Sequence, residues 1–503
     1  MAGNVILDGM SAVMNLECMM YIFGGTLLGI IFGAAPGLNT AMAVALCLPI
    51  TYSLTAVNGI AMIMGLFIGG VSGGLITAIL INIPGTAASL ATTFDGHPMA
   101  LKGEAGKALG VGIVFSFIGG AISMIALITV SPVLANFALN FGAVEYFAIA
   151  VFSLTMMATL SGDSIVKGLI SGLMGCMIAM VGTAPIDYSP RFTFGFLSME
   201  AGFSMISVLT GAFAVSEIMK SAKNRIQLSD SDFSDFKIKG FGFSLKEFSS
   251  QIGNGIRSAL IGIGIGILPG VGAGTANVIA YSAAKTGSKY PEKFGTGIID
   301  GVVASETANN ASVGGALIPL LTLGVPGDVG TALLLGGLMI HGIVPGPLLF
   351  VTNGQLVYTI FAALIAANIF MIVLEYAGMR AFIKILKVKK HVLMPIVMIL
   401  CCVGAYGANN RVFDVIWLAI FGIYGYVLYT FDFPLAPMII GYILGPLAET
   451  NLRRALMASD GSLIPFVESP IALFFFGLTI LSIVFTVRKH RPGKKSKGEE
   501  NVI

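Results

Sequence analysis

The sequence predicts an all-α polytopic membrane protein made of two inverted repeats, with discontinuous or re-entrant helices and roughly 10 to 13 spans. Three observations predict it: long apolar runs, a pair of proline–glycine cassettes that recurs in each half, and a one-sided placement of lysine and arginine. The chain has 503 residues, 56% hydrophobic and 11% charged, against about 25% charged in soluble domains. Runs such as 19–35, 59–83, 108–130 and 471–487 carry no charge and reach the ~17–25 residues that a membrane helix needs. They are continuous rather than alternating, which excludes a membrane β-barrel.

Taken in order, spans are expected near 16–35, 57–83, 107–134, 143–160, 164–184 and 202–220. Then come 252–269, 296–325, 330–350, 355–377, 392–408, 412–430, 435–447 and 468–487. This divides the chain into a first repeat (1–220), a polar linker (221–250), a second repeat (251–487) and a tail (488–503). The start, "MAGNVILDGM", has no basic n-region and no small-residue cleavage site, so a removed signal peptide is not expected. The five cysteines sit in apolar stretches without a CxxC and read as packing residues.

The repeat shows in "GIIFGAAPG" (29–37) and "GIGIGILPG" (262–270), where Gly29/Gly262, Gly33/Gly266, Pro36/Pro269 and Gly37/Gly270 are all offset by 233. A second pair, "GGLITAILINIPGTA" (73–87) and "GGALIPLLTLGVPGD" (314–328), matches Gly73/Gly314 and Gly74/Gly315 at 241 and Pro84/Pro326 at 242. No Lys or Arg precedes Lys102, whereas the linker, residues 380–390 and the tail "RKHRPGKKSK" are basic. Cytoplasmic loops concentrate these residues, so all three segments are expected in the cytosol and the two repeats enter from opposite faces. The tail abuts a hydrophobic span, and no nucleic-acid role is expected.

Proline–glycine inside an apolar run ends a helix, and irregular backbone at membrane depth must be buried or line a cavity. Segments 38–54 and 271–285, which follow such breaks, are therefore read as re-entrant. Each break opens into small polar residues: "PGLNTA", "PGTAAS", "PGVGAGTAN" and "PGDVGT". Free amides at a helix start attract anions, and free carbonyls suit Na⁺. Cation ligands are expected at Gly37, Asn39, Thr40, Gly272, Thr275 and Asn277. Substrate contacts are expected at Asn82, Gly85, Thr86, Ser89, Asn309, Asn310, Gly327 and Asp328. Pro36, Pro84, Pro269 and Pro326 make the breaks, and Asp95 is a further functional candidate. Glu306 shares a helical face with Asn309 and Asn310, and an intramembrane carboxylate defaults to function. No cofactor is expected beyond a coupling Na⁺. The competing structural readings are kinked, glycine-packed helices for the cassettes and a helix cap for Glu306.

Two other functions match parts of the sequence. "GVSGG" (70–74) matches G-x-S-x-G, but an intramembrane serine protease needs a strand–turn–helix elbow and a histidine such as His341 or His97. An ion channel is possible, yet inverted repeats with broken helices favour alternating access. Without HExxH or a Walker A loop, the chain is read as a carrier rather than an enzyme or pump.

These cassettes are similar to those of the large permease subunit of the tripartite tricarboxylate transporters (TctA-type). The similar segments include "GAAPGLNTAMAVALCLP" (33–49), 73–110, "PRFTFG" (190–195), "GILPGVGAGTANVIAYSAAK" (266–285), 301–347 and 434–456. One departure is Ala184, where the family usually has an acidic residue; Asp187 stands three positions on. The resemblance implies a bacterial inner-membrane secondary transporter importing di- or tricarboxylates on a Na⁺ or H⁺ gradient. It also implies two partners, a small integral-membrane subunit (TctB-type) and a periplasmic solute-binding protein (TctC-type). By analogy it suggests an elevator-like carrier.

Overall fold

A computed structural model describes residues 2–35, 38–160, 164–223, 242–385 and 390–489. Pro36, Gly37, most of the linker and nearly all of the tail lie outside the described residues. The first half holds α1 (Ala2–Val13), α2 (Leu16–Ala34), α3 (Thr40–Tyr52), α4 (Ala56–Ile81), α5 (Thr92–Met99), α6 (Ala105–Ala138), α7 (Ala143–Leu160), α8 (Ile165–Ala179), α9 (Met205–Thr210) and α10 (Ser216–Lys223). The second holds α11 (Leu245–Ile267), α12 (Gly272–Thr286), α13 (Ile299–Leu323), α14 (Val329–Ile340), α15 (Pro347–Thr352), α16 (Gly354–Ile385), α17 (Lys390–Asn409), α18 (Val412–Thr430), α19 (Leu435–Ala458), α20 (Ile464–Glu468) and α21 (Pro470–Lys489). Apart from a two-residue antiparallel pair, Gly182↔Arg191 and Thr183↔Pro190, the described regular structure is helical.

This is an all-α polytopic membrane protein. Among the described residues, 5 helical stretches are long and apolar enough to cross a membrane: α2, α4, the run 92–138, α16 to Met379, and α18. Some expected spans are shorter helices instead, such as α8 and α14, because breaks or polar residues stop them early. The stretch 202–220 is α9 and α10 joined by a π-turn at Gly211–Val215.

Glycine lets helix backbones touch, and those touches reveal the duplication. A Cβ at Gly29 would strike the Leu66 carbonyl, and one at Gly33 would lie 2.5 Å from the Gly70 carbonyl. In the second half Gly262 meets the Ala308 carbonyl and Gly266 that of Ser312. Gly73 and Gly315 each stand with their Cβ positions 2.5 Å from the carbonyls of Ile30 and Ile263. So α2 packs on α4 as α11 packs on α13, each pair parallel. The offset is 233 for the first helix and 242 for the second. The structural partner of Gly73 is thus Gly315, not the Gly314 expected from the doublets.

Each first helix turns back at its break. Thr40 lies against Gly70 while the Thr51 carbonyl lies against Gly59, so α3 runs opposite to α4. Likewise α12 begins by Asp328 and finishes with Gly287 against Arg257 of α11. Both pairs are re-entrant hairpins whose tips stop beside the middle of α4 and of α13. The two long helices themselves run in opposite directions. Gly74 abuts Thr86 and Ser89, whose neighbour Ala88 is bonded by Asn309. Farther along α4, Ile79 abuts Gly96, and the adjacent Asp95 abuts Gly301, earlier in α13. The repeats are inverted, and their tips approach mid-depth from opposite ends.

One asymmetry breaks the pattern. Residues 53–55 join α3 to α4, whereas 287–298 join α12 to α13. The longer link is latched to Asp95, whose buried carboxylate accepts from the amides of Gly295 (3.0 Å), Gly297 (2.8 Å) and Ile298 (3.1 Å) and from the Tyr281 hydroxyl (2.9 Å). Asp95 therefore holds the second hairpin in place and has no free oxygen to offer a substrate.

Candidate functional site: two hairpin tips and a buried amide–carboxylate cluster

The cassette after α4 is the meeting point. Asn82 caps α4 in the left-handed region (φ 55°) and is exposed, beyond the tips. The chain then dips at Pro84–Gly85, where the Gly33 carbonyl leaves no room for a Cβ. Gly327 does the same in the second repeat, its Cβ position 2.8 Å from the Gly266 carbonyl, and its own carbonyl accepts from Gly270 N–H (2.6 Å). Each break then opens a helical turn: Ser89 Oγ accepts from Thr86 N–H (3.4 Å) and donates to the Thr86 carbonyl (3.0 Å), and Asp328 forms a capping box with Thr331.

Three chain segments converge on residues 86–92. Asn277 of α12 accepts from Ala91 N–H at 3.0 Å and donates to the Ala88 carbonyl. Asn309 of α13 donates to the same carbonyl at 2.8 Å and to Glu306 Oε2 at 3.1 Å. Glu306, with no exposed surface, also accepts from Ser116 (3.1 Å) and from Thr92. Asn310 donates to the Asn309 side chain and to the Glu306 carbonyl (3.1 Å). Thr86 Oγ1 is buried without a partner and is the open donor at the tips. A buried polar network this complete is rigid, whereas the Thr86 hydroxyl is left unsatisfied.

The expected residues distribute unevenly. Gly85, Thr86, Ser89, Asn277, Asn309, Asn310, Gly327 and Asp328 lie at or beside the tips. Asn277, expected with the cation ligands, bonds instead to the 84–89 cassette, so cation and substrate candidates intermingle. Asn39 caps α3 through Met42 N–H (2.8 Å) and is exposed; Thr40 is buried against Gly70. Thr275 is exposed on α12, away from the buried cluster. Gly272 has φ 64° and sits against Asp328. Asp328 accepts from Thr331 N–H and Oγ1, both at 2.8 Å, as the α14 cap. Pro84, Pro269 and Pro326 occupy their breaks.

Ser72 lies in the middle of α4, on a continuous helix rather than an elbow, and His341 stands at Gly59, over three turns away. His97 Nδ1 is instead 3.1 Å from the Ile79 carbonyl. No nucleophile–base pair is formed there.

A cavity of about 870 Å³ lies away from the tips, at the end where α13 finishes. Arg191, Tyr442, Glu449 and Arg454 line it, and Arg191 pairs with Glu449 at 2.6 Å. Ala184 is fully buried beside this region, and Asp187 is on the surface, paired with Arg453 at 3.4 Å. At the opposite end of the molecule Lys102, Lys107, Lys246, Lys285, Lys289 and Lys293 gather where α12 finishes and α6, α11 and α13 begin.

Residues 19–440 match the family described as "Tripartite tricarboxylate transporter TctA family". The chain belongs to the TctA family. A relative in Agrobacterium vitis, described as an uncharacterized 52.8 kDa protein in the TAR-I ttuC' 3'region, is 35% identical over 479 residues, 95% of each chain. A second from the same organism, described as an uncharacterized protein in the TAR-II ttuC' 3'region, is 36% identical over 236 residues, 47% of this chain and 96% of its own. No solved structure matches. As a TctA-family member the chain is a multi-pass membrane transporter of a tripartite system. Sequence reading missed Thr92 and Ser116, which complete the Glu306 site, because ordinary hydroxyls in apolar helices give no signal. It also missed Glu375, whose signal was present: a lone acid in a long apolar helix.

Proposed function

We propose that this TctA-family protein is the large permease of a binding-protein-dependent secondary transporter in the bacterial inner membrane. It imports di- or tricarboxylates on a cation gradient, with a small membrane subunit (TctB-type) and a periplasmic binding protein (TctC-type). The observation that carries the reading is the meeting of two inverted re-entrant tips around Ala88, Asn277 and Asn309. Irregular backbone in such a place is expected to serve a translocated solute.

The tips supply the free Thr86 hydroxyl and the starts of α12 and α14. A helix start offers an anion ~0.3–1 kcal/mol, up to ~2 when partly buried, so several must act together. Asp328 beside Gly272 would repel a carboxylate unless a cation lies between them, which favours co-transport. The 870 Å³ cavity, with Arg191 and Arg454, suits the face that receives an anion from the binding protein, and the lysine-rich end suits the cytosol.

The test is uptake of labelled citrate and other di- and tricarboxylates into proteoliposomes holding the permease with its partner subunits. A Na⁺ or pH gradient should drive accumulation, and Thr86→Val should weaken substrate use more than assembly. Transport indifferent to both gradients would refute the reading. Cysteine labelling in intact cells checks orientation: a probe at residue 230 should react only from the cytosol.

A further inference from the structure

Of the buried carboxylates, Asp95 and Glu306 are fully supplied with donors, and Asp414 is held by Arg411 and Asn409. Glu375 is different. It has no exposed surface, it lies within the apolar stretch 354–379 of α16, and among the described residues neither of its oxygens meets a donor in hydrogen-bond geometry. Beside it stands Ser72 of α4, also fully buried with an unpartnered hydroxyl. Ser72 is near enough to act on the carboxyl, yet no bond between them reaches hydrogen-bond geometry; buried polar groups left so are costly and persist where they have work to do.

We propose that Glu375, with Ser72, is the proton-carrying site of this permease; the inference rests on the ion-coupled transport proposed above. An ionised carboxylate without donors is strongly disfavoured in a dry interior, so Glu375 needs a bound cation to stay there. The surroundings select a proton. Met371 and Met379 lie one turn to either side, both buried, and the neighbouring cluster is Ile30, Leu75, Ile76 and Leu109. A hard metal cation requires about six oxygens, and these buried neighbours on α16 bring no side-chain oxygen.

Loading adds one proton to a Glu375 oxygen from one side of the membrane. Unloading leaves the carboxylate and returns that proton to the other side, with no change of oxidation state. The charge left behind acts through α6, which packs against α16 and carries Ser116, a donor to Glu306. Glu306 holds Thr92 and Asn309, and these hold the 86–92 cassette. The proton is thereby linked to the tips. The other ionisable groups on helices packed against α16 lie elsewhere. Asp8 of α1 is near the start of α16, where Gly9 meets Tyr358. Glu17 pairs with Asn58, Lys107 pairs with Glu247, and Cys18 and Tyr21 lie below the Phe23–Phe370 contact. Neither α4 nor α15 carries a charge.

Two measurements test this. Infrared spectra of the purified full-length permease at neutral pH should show a carboxylic-acid carbonyl stretch that is lost in Glu375→Gln and shifted in Ser72→Ala. In proteoliposomes with the partner subunits, pH-gradient-driven citrate accumulation should fall at least about fivefold in Glu375→Gln, while citrate exchange continues. Glu375→Asp should retain part of the accumulation, which separates lost chemistry from misfolding. An infrared band unchanged in Glu375→Gln would overturn the site. So would a variant that still follows the pH gradient, or a wild type driven by Na⁺ alone. If the wild type carries no carboxylate, the transport reading fails, and the infrared result still decides whether Glu375 holds a proton.

Discussion

The two repeats share a backbone and differ in chemistry. At the offset of 242, α4 and α13 superpose turn for turn, yet Met64, Phe67 and Ile68 stand where α13 has Glu306, Asn309 and Asn310. The first repeat contributes an apolar wall and a backbone carbonyl, that of Ala88. The second contributes the acid and the amides that grip it. Duplication fixed the geometry, through glycines that tolerate no side chain, and left the side chains elsewhere free to diverge. An inverted scaffold therefore does not require a symmetric site.

That contrast can be broken at matched positions. Asn309→Leu removes a donor from both the Ala88 carbonyl and Glu306, a loss of ~1–3 kcal/mol for a buried polar group. Uptake should drop about tenfold or more, at ~1.4 kcal/mol per factor of ten, whereas Phe67→Leu should cost under ~1.5 kcal/mol and leave uptake nearly unchanged. Equal effects would mean that the site is symmetric after all. Gly33→Ala and Gly266→Ala should each destabilise by ~1–3 kcal/mol through overpacking, read as matching falls in thermal midpoint in detergent. A fall in one alone would deny the shared scaffold. Asn39→Ala should cost ~1 kcal/mol as a lost helix cap; a rise in the cation concentration for half-maximal uptake would add a ligand role to the cap.

The smallest effect lies outside the apolar region. Lys107 donates to Glu247 at 2.5 Å in the first turn of α11, and with Ser244 it holds that carboxyl down to about 2 from 4.5. A lowered folded value stabilises above the unfolded one and is lost as pH falls, here between pH 4.5 and about 2. The pair is partly exposed, so Glu247→Gln should cost only ~0–1 kcal/mol at neutral pH. The difference between variant and wild type in thermal midpoint should vanish on acidification through that range.

Much of this was legible in the chain. Apolar runs and PG breaks announced the membrane helices and the re-entrant segments, because both follow from local composition. The register of the second cassette was misread by one residue at Gly73, since a glycine doublet matches another in more than one way; only the carbonyl that each glycine touches decides. The pairing of Asn277 with Ala88 was not readable, because it joins residues 189 positions apart. Asp95 looked like a site residue, but backbone amides from a distant loop claim its oxygens, and no sequence pattern announces that.

The difference between the two offsets, 233 and 242, has a lineage meaning. Nine residues separate the copies, and they fall in the link at 287–298 rather than in any helix. One copy gained them, or the other shed them, after duplication. Residues from that unequal segment supply the three amides that bind Asp95, and at the matched position the other copy has Gly337. The fastening of the second hairpin is therefore a trait acquired or kept by one half alone.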